Sequence, residues 1–189
     1  GYWKIASPGY RKLIPALLVF ALFNSSDVFL LLLTKSSIGT ETVQIAGTVF
    51  NADSITIAAY IFYNLVYALA AYPMGSMADK LGFKKTVLLG FFLFAIVYGG
   101  FATSPSITLI FVLFAVYGVY AAATEGVIKA WITNLSGKAN TATAIGFYSS
   151  CESISAFFAS LIAGAIWTGF GSSASFLLSS ITAIVICIY

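Results

Sequence analysis

Six runs of apolar residues occupy positions 13–33, 55–77, 86–102, 107–132, 141–167 and 173–189, and polar segments separate them. A helix crossing about 30 Å of hydrocarbon takes roughly 20 apolar residues, so each run predicts a spanning helix. The separators differ in character. Thr103-Ser104-Pro105-Ser106 and Gly169-Phe170-Gly171-Ser172 are short and uncharged, whereas residues 78–85 are short and strongly basic. A longer stretch, residues 34–54, joins the first two runs and carries Lys35, Glu41 and Asp53. Residues 1–12 form a polar lead-in, and 13–189 read as one six-span transmembrane domain.

Composition agrees with this pattern. Hydrophobic residues make up 60% of the chain and charged residues 8%, with no histidine. A water-facing surface takes about a quarter charged residues, so this chain is expected to lie in a lipid bilayer. Cys151 and Cys187 sit inside apolar runs and read as small buried hydrophobes, not as a disulfide or a metal site. No run of like charge suggests nucleic-acid binding, and the lead-in has no cleavage pattern of a signal peptide. The chain opens on Gly1, has methionine only at positions 74 and 77, and stops at Tyr189 inside an apolar run. Both ends read as cut, which predicts a piece of a longer protein.

Charge changes the picture by giving the spans a direction. One side of the alternating loops holds Lys4, Arg11, Lys12, Lys80, Lys84, Lys85 and Lys138, and the other holds Lys35 alone. Cytoplasmic loops carry the excess of lysine and arginine, so the N-terminus and the basic loops are expected in the cytoplasm.

The basic loop also carries a pattern. Gly75-Ser-Met-Ala-Asp79-Lys80-Leu-Gly82-Phe-Lys84-Lys85 resembles the loop signature of the major facilitator superfamily, with Phe83 where that family places a first closing basic residue. Residue chemistry gives each position a role without the family. A glycine on a spanning helix admits a neighbouring backbone, Gly82 permits a tight turn, and Asp79 can accept from helix amides or pair with a cation. Asn24-Ser-Ser-Asp27-Val-Phe-Leu resembles the first span of the C-terminal half of bacterial members. Tyr117-Gly118 and Glu125-Gly126-Val-Ile-Lys129-Ala resemble the fourth span of that half. The resemblance implies an all-α membrane protein of six transmembrane helices as two inverted three-helix repeats, half of a twelve-helix fold. It further implies a bacterial inner (plasma) membrane and a second six-helix half, covalent or as a dimer partner. In the family an aspartate placed like Asp79 latches the cytoplasmic side during alternating access, with Gly75, Lys80, Gly82, Lys84 and Lys85 around it.

Ionisable groups inside a span cost about 2.5–3.5 kcal/mol each on insertion scales and mark functional sites by default. Asp27 lies past the middle of the first span with Asn24 one turn below. It reads either as a site for a proton or cationic group or as a hydrated vestibule carboxylate. Glu125 and Lys129 stand four residues apart near the cytoplasmic end of the fourth span, spacing that lets them pair. They read as a gating or structural charge pair. Glu152 falls near the bilayer midplane beside Tyr148 and several serines, where transporter sites lie. A carboxyl desolvated there suits reversible protonation; the alternative is a helix-packing carboxyl satisfied by serines. Asn64 forms a polar–aromatic stripe with Tyr60 and Tyr67, which either lines a cavity or packs between helices.

No metal, serine–histidine dyad or phosphate-binding glycine loop can be assembled from these residues. The chain is therefore not expected to be an enzyme or to hold a cofactor. The reading that results is a secondary active transporter of a small solute, coupled to protons. A non-transporting membrane scaffold derived from such a half is the rival.

Overall fold

The computed structural model describes residues 2–39, 43–45, 48–103 and 105–188; Gly1, Glu41, Ser104 and Tyr189, named above, lie outside them. The first span comprises two helices, α1 (Pro8–Phe23) and α2 (Asp27–Ile38). They run past the apolar stretch at both ends. Ser7 sets the start: its Oγ accepts from the Tyr10 amide at 3.3 Å, and Pro8 follows in the first turn. Arg11 and Lys12, both exposed, follow in the next turn of α1.

Between the first two spans lies a short antiparallel hairpin, β1 (Val43–Ile45) with β2 (Thr48–Phe50), in a register that sets Gln44 opposite Val49. The sequence reading placed no strand there. Its β-branched and aromatic residues nonetheless suit one. Beside it, Lys35 Nζ lies 2.7 Å from Asp53 Oδ1; both side chains are more than half exposed, and such pairs contribute little.

The second and third spans are α3 (Ala52–Leu81) and α4 (Phe83–Phe101), and the fourth to sixth are α5 (Ile107–Ser136), α6 (Thr141–Phe170) and α7 (Ser172–Ile188). With 17 residues, α7 covers about 25 Å at the helical rise, enough for a thin or tilted crossing. The fold is thus all-α within the bilayer, with six spans.

Two features reveal an internal repeat. The first is helix pairing: exchanging the first three spans with the last three maps the packing onto itself. Packing of α3 on α5 corresponds to α6 on α1, α3 on α4 to α6 on α7, α4 on α5 to α7 on α1, and α2 on α3 to α5 on α6. The α4–α7 pair maps onto itself. The second feature is the turns. A single glycine joins α3 to α4, Gly82 at φ +95°, and another joins α6 to α7, Gly171 at φ +88°. A side chain at such φ values is strained, and one residue per turn forces each helix pair to run antiparallel. Because each repeat has three spans, the second begins on the opposite face of the membrane. The repeats are therefore inverted.

Close backbone approach holds the bundle, as expected where lipid supplies no hydrophobic drive. A Cβ on Gly118 would stand 2.9 Å from the Tyr63 carbonyl oxygen and 3.0 Å from the Tyr67 nitrogen, so α3 crosses α5 directly over that glycine. Phe94, Tyr98, Phe101, Phe114 and Phe176 fill the core between α4, α5 and α7. Ser180 Oγ donates to the Ala95 carbonyl at 2.7 Å, and Tyr10 Oη to the Ala144 carbonyl at 2.8 Å.

Candidate functional site

The break in the first span begins the site. Asn24, Ser25 and Ser26 compete with a helix through their own side chains. Asn24 turns extended and ends α1, and Ser26 starts α2 by accepting from the Val28 amide at 3.4 Å. Asp27 then sits in the first turn of α2, where the helix dipole favours a negative charge. Asn24 and Asp27 are thus not one turn apart on a single helix, as the sequence reading had them. They reach two tyrosines on α5 instead. Tyr117 Oη donates to Asp27 Oδ1 at 2.6 Å, and Asn24 Nδ2 donates to Tyr120 Oη at 3.3 Å. The Ser25 carbonyl, freed by the break, accepts from Tyr98 Oη at 3.4 Å. Three buried tyrosines from α4 and α5 clasp the break.

From there an aromatic row crosses the bundle. The Tyr117 ring lies 5.1 Å from that of Tyr63, which stacks on Tyr67 at 6.5 Å. Tyr67 Oη donates to Glu125 Oε2 at 3.0 Å. Glu125 in turn lines a cavity of about 240 Å³ between α5 and α6, with Ile128, Lys129, Tyr148 and Glu152. Within it Tyr148 Oη donates to Glu152 Oε1 at 2.6 Å. The serines near Glu152 do not serve it: Ser150 and Ser153 bond to carbonyls of their own helix.

Glu125 and Lys129 share this cavity, yet form no ion pair with each other; Lys35–Asp53 is the salt bridge found among the described residues. Asn64 is exposed, and its Nδ2 donates to the Tyr60 carbonyl of its own helix at 2.8 Å. In that stripe it is Tyr67 that reaches another helix.

The loop pattern sits at a second cavity of about 250 Å³, which Gly75, Asp79 and Phe83 line together with Tyr67 and Gly126. Gly75 admits no neighbouring backbone here, since a Cβ on it would meet nothing within 4 Å. Asp79 makes no hydrogen bond or ion pair among the described residues, and Lys80, Lys84 and Lys85 are exposed. Phe83 packs parallel to Trp131 at 6.5 Å, which gives the departure from the signature a structural use. Tyr67 borders this cavity and bonds the carboxylate of the other, linking the two.

The chain matches the family model described as Major Facilitator Superfamily over residues 13–189. It belongs to that superfamily. It is also similar to an uncharacterized MFS-type transporter of Methanocaldococcus jannaschii, at 35% identity over 167 residues. That match covers 88% of this chain, and the chain spans 40% of that relative's length. No solved structure matches.

In this major facilitator half the carboxyl groups were legible as ionisable residues within apolar runs, and Tyr148 was legible beside Glu152, but the tyrosines that donate to Asp27 and Glu125 were not legible as their partners. Tyr63 and Tyr67, four residues apart, and Tyr117 and Tyr120, three apart, each place two rings on one helical face. That spacing was the available signal, and it does not separate a hydrogen-bonded row from ordinary packing.

Proposed function

We propose that this chain is half of a secondary active transporter that moves a small solute by alternating access, with protons as the coupling ion. One observation carries the reading. Each of the three carboxyl groups in the interior of the spans, Asp27, Glu125 and Glu152, accepts from a tyrosine hydroxyl of the bundle. A tyrosine hydroxyl suits both protonation states of such a group. It donates to the carboxylate, and after rotation it accepts from the carboxylic acid. Neither state leaves an orphaned polar group in the bilayer, where one costs several kcal/mol. A proton can therefore come and go while the helices keep their contacts.

The exposed Glu125 and Lys129 side chains and the half-buried Glu152 form a polar wall that lipid would penalise. A second six-helix half, attached or as a partner chain, covers that wall and completes the solute path. The Asn24–Asp27 and Tyr117–Lys129 segments support assignment to the C-terminal half. The loop with Asp79 serves as the cytoplasmic gate, in the plasma membrane, with the N-terminus inside. Tyr67 connects that gate to Glu125.

The test uses the full-length parent in proteoliposomes, with Glu152 intact or replaced by glutamine. Glu152→Gln keeps an acceptor for Tyr148 but cannot release a proton. Uptake driven by a pH gradient should vanish, while solute exchange without a gradient persists. Unchanged coupled uptake would remove Glu152 from the proton path. Absence of transport across a broad solute panel would favour the scaffold reading.

A further inference from the structure

Residues of α1, α4, α5 and α7 line a third cavity, about 620 Å³, that shares no lining residue with the two cavities above. Leu17, Phe91 and Ile186 are among the apolar side chains that line it, and Arg11, Lys12 and Lys84 supply its charge. No acid lines it. The cations stand near the N-terminal ends of α1 and α4, where the helix dipoles add positive charge to positive charge. That arrangement is unfavourable by itself and becomes favourable when an anion sits among the three. Trp131, an amphipathic side chain of the kind that settles at headgroup depth, also lines the cavity.

We propose that this cleft binds an anionic phospholipid, its phosphate held by Arg11, Lys12 and Lys84 and one acyl chain lying along the partly exposed Leu88 and Ile186. Charge complementarity selects the occupant: a zwitterionic lipid offers a cation as well as a phosphate to this acid-free cluster, whereas a phosphatidylglycerol headgroup offers only the anion. The Arg11 guanidinium is already oriented, since it donates to the Lys4 carbonyl of the folded-back lead-in. The same lipid would tie α1 to α4 at their basic ends. The site is independent of the transport reading, because it needs only a membrane-embedded bundle with these ends at the headgroups.

The experiment is native mass spectrometry of the full-length parent released from nanodiscs of phosphatidylcholine with and without phosphatidylglycerol. Wild-type protein should retain phosphatidylglycerol in preference to phosphatidylcholine. Each cation near an anionic surface contributes enough that the Arg11→Ala/Lys12→Ala/Lys84→Ala variant should bind on the order of a hundredfold more weakly. Lys138→Ala, which removes a charge elsewhere, should bind as wild type. Ala16→Trp fills the cleft while leaving all three cations, and should also lose the lipid. Equal retention of both lipids, or a triple variant that binds as wild type, would overturn the proposal. So would a wild-type protein that carries no lipid, which would leave the cleft to another segment of the parent protein.

Discussion

At the scale of single residues, the contact between Tyr117 and Asp27 decides how the first span is held. Tyr117 is 3% exposed, and its hydroxyl reaches Asp27 at 2.6 Å across two helices. A hydrogen bond to a charged group is worth about 1.5–3 kcal/mol in soluble proteins, yet side-chain bonds inside membranes average nearer 0.6 kcal/mol. Tyr117→Phe should therefore destabilise the full-length parent by about 1 kcal/mol, read as a lowered thermal midpoint in detergent. A double-mutant cycle with Asp27→Asn isolates the pair; a coupling energy of zero would remove this contact from the account. Residue identity made Asp27 and Glu152 legible, because a carboxyl in an apolar run is conspicuous. It could not show that Tyr117, ninety positions from Asp27, or Tyr67 would supply the donor. A tyrosine suits packing as well as bonding, and only the meeting of distant helices distinguishes the two.

Elements meet most closely where α3 crosses α5. At Gly118 the atoms facing an added Cβ include a backbone oxygen and a backbone nitrogen, which cannot rotate aside. Gly118→Ala should cost about 1–3 kcal/mol through overpacking. Gly146→Ala, on α6 with open space around its Cβ position, should instead gain up to about 1 kcal/mol from helix propensity. Thermal unfolding of both variants checks the pair of signs. An unchanged Gly118→Ala protein would mean that the two helices do not cross there. The crossing also matters for the site, because it sets Tyr67 at bonding distance from Glu125. Six spans were readable from run length and hydropathy alone, since the bilayer fixes how long an element must be. The break at residues 24–26 was not, because Asn24, Ser25 and Ser26 lie within a run apolar enough on average to continue as one helix. Their local competition with the backbone weighs little in an average over a whole span. Averaging likewise hid the start of α1, which the Ser7 cap and Pro8 determine and hydropathy does not.

For the molecule as a whole, the inverted repeat and the charge bias make the same statement from independent sources. Seven of the eight loop and lead-in cations fall on one side of the alternating loops, and the charge rule predicts that side to be cytoplasmic; the Gly82 and Gly171 turns lie on opposite faces because three spans separate equivalent positions. The sequences of the two repeats do not announce their relation, since apolar stretches built to face lipid admit many residues. What they share is geometric, namely long helices that end on a single glycine at positive φ. That geometry can be tested by accessibility. In a parent protein with Cys151 and Cys187 replaced by serine, Phe170→Cys, at a position 82% exposed beside the Gly171 turn, should react with a membrane-impermeant thiol reagent applied to intact cells. Lys138→Cys, in the loop between α5 and α6, should react only after permeabilisation. The reverse pattern would turn the protein over and place Asp79 and its basic neighbours outside, where a cytoplasmic gate is impossible. Labelling of both from one side would be more damaging, because α6 alone separates these positions. It would mean that α6 does not span, and the inverted repeat would fall with it.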